Sequence, residues 1–114
     1  MPIAVPGSRQ FLADQYGTLG EFVGVATGDP GTTNVPANEA FGSGYSRVQA
    51  PWTSGTGGNI TGAKSVIQLP AGVFNYVILA SDVDGDTMFD KCAVDETELQ
   101  APGQVIVTAA YQQL

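Results

Sequence analysis

Runs and alternations of apolar residues along the chain predict short strands rather than helices. Residues 21–27 hold an apolar run, Phe22 to Val25, rich in β-formers and short enough to be a strand. Tyr45–Thr53 is a second expected strand, with Pro51 marking an edge, a bulge or a strand end. Lys64–Leu69 alternates, Val66 and the side chains near it giving a half-buried strand. Phe74–Ala80 is the strongest strand signal, and its Val77-Ile78-Leu79 run implies burial on both faces. Asp84-Gly85 is a hairpin turn signal leading into Thr87–Val94. Residues 95–103 read as a polar connection closed by Ala101-Pro102-Gly103. Gln104–Tyr111, alternating Val105, Val107 and Ala109, is the final expected strand.

One helix is expected, over 8–16. Ser8 is a suitable N-cap, Leu12 and Tyr16 lie one turn apart with Phe11 beside them, and Gly17 is placed to stop it. Two turns need tertiary packing to persist. Residues 1–7 read as an extended arm, because Pro2 and Pro6 disfavour helix and Ile3 and Val5 fall on one side. The Gly/Pro/Asn/Thr stretch 28–44 is a long loop, of the kind that is functional or pinned by a neighbour. The fold class expected is all-β. It is a single β-sandwich, jelly-roll-like, over 8–114, with one short N-terminal helix and the arm 1–7 ahead of it.

Composition narrows the function. The 114 residues suffice for one domain. Four basic residues against eleven acidic ones give a net charge of -7. That balance argues against a nucleic-acid surface, which needs clustered Lys and Arg. Histidine is absent, which removes His-based triads, His general bases and His metal ligands. The single Cys92 has no partner for an intramolecular disulfide and falls in an expected strand, where a free Cys behaves as a small apolar residue. Charged residues make up 13%, well under the usual quarter. Either neighbours cover part of the surface, or Thr, Asn and Gln supply its polarity. No apolar run approaches the ~20 residues of a membrane span. Met1–Gly7 has no basic n-region, so synthesis in the cytoplasm without a signal peptide is expected.

The sharpest chemical feature is acidic. Segment 82–98 holds seven of the eleven acids against Lys91 alone. Asp82, Asp84, Asp86 and Asp90 resemble an aspartate-rich Ca²⁺ loop in residue type, since that ion takes clustered hard oxygens. The spacing is poor. With Gly85 at the sharp turn of an EF-hand loop, the first ligand position falls on Ala80 and the twelfth on Lys91. The competing reading is a hairpin whose acids face solvent. Two of these carboxylates would serve as a glycosidase pair only in a desolvating cleft, which a hairpin tip lacks. Gly55-Thr56-Gly57-Gly58 lacks the Gly-Lys-Ser/Thr ending of a phosphate loop and reads as a turn. No cofactor is expected beyond that weak Ca²⁺ candidate. Phe41, Tyr45, Trp52 and Tyr76 face either a partner or carbohydrate, or the core.

The order of short motifs carries a resemblance. A helix ends near Tyr16-Gly17, and a strand leads into Ala26-Thr27-Gly28-Asp29-Pro30-Gly31. Ala37-Asn38-Glu39, Gly44-Tyr45-Ser46-Arg47 and Trp52 follow, then Leu69-Pro70-Ala71-Gly72 and finally Ala101-Pro102-Gly103. In this order the chain resembles small structural proteins of actinobacteriophages of the tail-fibre or minor tail protein type. It departs from them at Asp82–Asp90, where a less acidic Gly-rich turn is usual. The resemblance implies a non-enzymatic virion component with a β-sandwich fold on the particle exterior. Head decoration of a capsid lattice is the alternative placement, and a receptor- or glycan-binding tip a second one. Implied partners are further copies of the chain, with a trimer favoured, and other virion proteins. Neither nucleic acid nor membrane insertion is expected. The interface candidates are Ile3 and Val5 on the arm, with Phe41, Tyr45 and Trp52.

Overall fold

A computed structural model describes residues 2–114; the expectation for Met1 lies outside them. The order is α1 (Pro6–Gly17), β1 (Phe22–Ala26), β2 (Val48–Gln49), β3 (Trp52–Ser54), β4 (Asn59–Gly62), β5 (Ser65–Leu69), β6 (Gly72–Ala80), β7 (Met88–Leu99), β8 (Gly103–Val107) and β9 (Ala110–Gln112). The fold is all-β with antiparallel sheets and one N-terminal helix, as the alternation predicts.

Two layers face each other. The first has strand order β2-β1-β6-β7. The second is β3-β4-β9 continued by β5-β8. β4 runs into β5 through Ala63-Lys64, and β8 into β9 through Thr108-Ala109, so the two small sheets form one kinked ribbon. A bond from the Gly62 N–H to the Ala109 carbonyl, 2.8 Å, spans the kink. Between the layers, Val23, Val25 and Val77 of the first pack with Ile67 and Leu69 of the second. On the opposite face of the first layer, Ala26, Ile78 and Met88 form a smaller cluster. The loop between β1 and β2 lies there, with the Tyr45 hydroxyl over Gly24 and Pro30 fully buried. β1 is therefore buried on both sides.

The helix closes one end of the sandwich. The Tyr16 ring stacks on Tyr111 of β9 at 3.7 Å and meets Phe89 of β7 and Trp52 of β3 edge-on, at 5.7 and 6.1 Å. One side chain thus bridges both layers, and supplies the tertiary packing that a short helix needs.

Several boundaries differ from expectation for identifiable reasons. The helix starts at Pro6, with Val5 rather than Ser8 at the N-cap. Proline fits the first turn because its missing N–H has no partner there anyway. The extended arm is thus shorter, Pro2–Val5 among the described residues. Pro51 divides the expected 45–53 strand into β2 and β3, which join different sheets. β4 follows the glycine turn and is too short and polar to register as alternation. In β5 the buried positions are Ser65, Ile67 and Leu69, so Val66 faces outward. Residues 95–99 extend β7 rather than forming a connection. Their acids stand on an exposed edge strand, where burial leaves no apolar signature.

Candidate docking surface

The acidic turn is built around Arg47. This guanidinium is only 5% exposed and forks onto Glu39, with Nε to Oε2 at 2.8 Å and Nη2 to Oε1 at 2.9 Å. Its remaining N–H groups donate to the carbonyls of Asp82 (3.2 Å) and Gly85 (2.9 Å) and to the Thr87 hydroxyl (3.0 Å). The turn therefore offers its backbone oxygens inward to a cation of the chain itself. The Glu39 carboxylate holds the Arg47 pKa above its ordinary value. Tyr45 completes the cluster, donating to Glu39 at 2.7 Å and accepting the Val25 N–H at 3.1 Å. Burial, then the bond to Glu39, pushes its phenol pKa up.

The structure does not gather Asp82, Asp84, Asp86 and Asp90 into a ligand set. Among the described residues no three Asp, Glu or Cys side chains come together in a way that could hold a metal ion. The Asp82 carboxylate accepts its neighbour's N–H from Val83. The Asp90 carboxylate accepts the Tyr16 hydroxyl at 2.5 Å and the Lys91 N–H at 2.8 Å. Lys91 pairs with Asp29, whose pKa that bond lowers first and the Gly31 N–H second. Cys92 is exposed rather than buried in the sheet, because β7 is an edge strand.

The interface candidates separate into two groups. Trp52 is half-buried, with its indole N–H on the Gly20 carbonyl at 2.9 Å, and Tyr45 is committed to the Glu39 cluster. Ile3 is half-buried, and its carbonyl accepts from Arg9 at 2.7 Å. Val5 is exposed at the helix start. Phe41 is different, with 85% of its surface open to solvent. It precedes Gly42, Ser43 and Gly44, all at positive φ, in a tip closed by the Tyr45 N–H on the Gly42 carbonyl. Glu39 on one side and Arg47 on the other pin that tip. The sequence signal for a pinned loop therefore corresponds to an internal clamp that holds up one aromatic ring.

The larger feature lies on the second layer. From Val48 to Ser81 the only charged side chain is Lys64, and from Leu99 to Leu114 there is none. These two segments contain β3, β4, β5, β8 and β9 entire, together with β6. All eleven acids lie on the helix, on the loops, or on β7 of the first layer. The outward rows of the second layer are Thr53–Thr61–Ala110, Asn59–Gln112, Val66–Ile106 and Gln68–Gln104, each in cross-strand register. In a chain of net charge -7, one layer thus shows an outward sheet face without carboxylate side chains, its one charged side chain the exposed Lys64, with an aliphatic pair at its centre. The spacing of charges along the chain carries this signal, but only the topology gathers the two stretches into one layer.

Comparison with family models, with curated proteins and with solved structures returns no match.

Proposed function

We propose that this chain is a non-enzymatic structural subunit of a bacteriophage particle. In this reading it lies on the particle exterior as a minor tail or tail-fibre-like component. It associates with further copies of itself, a trimer being favoured, and with other virion proteins through its neutral β layer. The observation that carries the assembly reading is the segregation of charge. Two copies of an acidic chain repel wherever carboxylates face each other, and the outward face of β3-β4-β9 and β5-β8 is where that repulsion is least. The phage setting is what the motif order implies, and head decoration is the alternative placement. Protein composition of purified particles tests the setting: the chain is expected at stoichiometric copy number, and its absence from particles rejects it.

One observation favours a second reading, a receptor- or glycan-binding tip. Phe41 is an almost fully exposed aromatic on a loop tip flanked by the Glu39–Arg47 pair, and aromatic rings of this kind anchor interfaces. Binding to host envelope material that is lost on Phe41→Ala, with folding intact, supports that reading; equal binding by the variant rejects it.

A further inference from the structure

Each layer ends on a strand with a free backbone edge. β7 is terminal in its sheet and β8 in its own. Between them lies an open groove of about 340 Å³. Leu69, Phe74 and Val77 line it from the core, with Val105 and Val107 on the β8 side and Val94 on the β7 side. Asp95 and Thr97 of β7 border it too. A free edge beside an apolar floor provides what an added strand requires: unpaired N–H and C=O groups, and a surface for alternate side chains.

The two edges are not equivalent. β7 is defended against pairing. Its register with β6 breaks where Asn75 stands opposite Val94–Glu96 and again at Phe89, and it carries Asp95, Glu96 and Glu98. β8 has no charge, no proline and an unbroken register with β5 from Gly103 to Val107. An incoming strand therefore bonds to β8 and finds the Asp95 carboxylate on its other flank.

We propose that this groove accepts one extended strand of a partner polypeptide, hydrogen-bonded to β8. Its small apolar side chains alternate onto the Leu69–Phe74–Val77 floor, and a lysine or arginine side chain beside them meets Asp95 of β7. The inference rests on the groove alone and goes beyond the virion reading. The chain's own extended stretch, Pro2–Val5, has no basic residue, and Arg9 holds the carbonyls of Ile3 and Ala4. The four basic residues of the chain are too far apart in sequence for any strand-length segment to carry two of them.

The test is a titration of the ¹⁵N-labelled chain with a short blocked peptide alternating valine and lysine. A twin with glutamate in place of lysine is the control. Saturable amide shifts confined to 103–108 and 93–97 are expected, with the glutamate twin weaker by about tenfold or more. Val94→Arg, on a side chain 45% exposed, is expected to weaken the lysine peptide similarly without changing the melt. Thr97→Arg is the second variant should Val94→Arg unfold. Absence of saturable shifts, shifts elsewhere, or equal affinity for both peptides overturns the proposal. So does a groove that changes its shifts when residues 2–5 are deleted, because the arm of another copy then fills it.

Discussion

Val66 on β5 and Ile106 on β8 stand directly opposite each other, 45% and 63% exposed, at the centre of a sheet face that carries no carboxylate side chain. Cross-strand aliphatic pairs are ordinarily worth having because they bury each other against a core. This pair faces outward, and burying the roughly half of each side chain still exposed against a partner stabilises an interface by roughly 1–2 kcal/mol each. The same pair contributes little to the isolated fold.

Phe41 is expected to be dispensable for folding. Its ring is 85% exposed, so Phe41→Ala should leave thermal stability within about 0.5 kcal/mol of wild type. Attachment to particles or to host material should drop in the same variant. A large loss of melting temperature would show that the ring packs on the domain.

Arg47 should be indispensable. Arg47→Ala leaves Glu39 without its cation and strips the inward bonds from the 82–87 turn. Breaking a fully buried pair on one side costs about 3–5 kcal/mol, and with Glu39 only partly buried a loss of about 2–3 kcal/mol is expected, measurable by urea denaturation. Arg47→Lys should recover only part of it, because one ammonium cannot fork onto Glu39 and reach the turn as well. A wild-type midpoint for Arg47→Ala contradicts the clamp.

Gly24 is required by the approach of the loop to β1. A Cβ there would stand 2.4 Å from the Tyr45 hydroxyl oxygen and 2.8 Å from Ile78 Cγ1. Gly24→Ala is therefore expected to destabilise by about 1–3 kcal/mol through overpacking. Tyr45→Phe in the same background should relieve part of that loss. An unchanged melt for the single variant would mean that the loop does not seat on β1.

Alkaline stability follows from two phenols. Burial first, then bonds to Asp90 and Glu39, keep Tyr16 and Tyr45 protonated well above their ordinary value. A pKa raised by folding contributes stability in full below the unfolded value, about 10, and loses it as pH rises through the folded value. Stability should therefore fall above about pH 10. In an absorbance titration, Tyr16 and Tyr45 should ionise together with the loss of the β circular-dichroism signal. Ionisation of both near pH 10 in an intact fold contradicts the geometry.

The sequence was readable where burial imposes a pattern. Phe74–Ala80 and Phe22–Ala26 are strands buried on both faces, and their apolar runs announce them. It was misleading where exposure removes the pattern: the acids of 95–98 continue β7 at a free edge, and Val66 faces solvent while Ser65 is fully buried. Phe41 was legible as an aromatic in a Gly-rich loop. Tyr45 and Trp52, aromatics of the expected 45–53 strand, are equal candidates by sequence yet are used internally, since only tertiary bonds distinguish an anchor from a display. The Glu39–Arg47 pair spans eight residues of irregular loop, where no helical or strand period announces a contact.

The oligomeric mass of the isolated chain, by light scattering coupled to size exclusion, tests the assembly account most directly. Wild type and a Val66→Lys, Ile106→Glu double variant should be compared at equal concentration and moderate salt. Wild type is expected as a defined oligomer, and the double variant as a monomer with an unchanged melt. A monomeric wild type, or a double variant of unaltered mass, would contradict self-association through the neutral β layer.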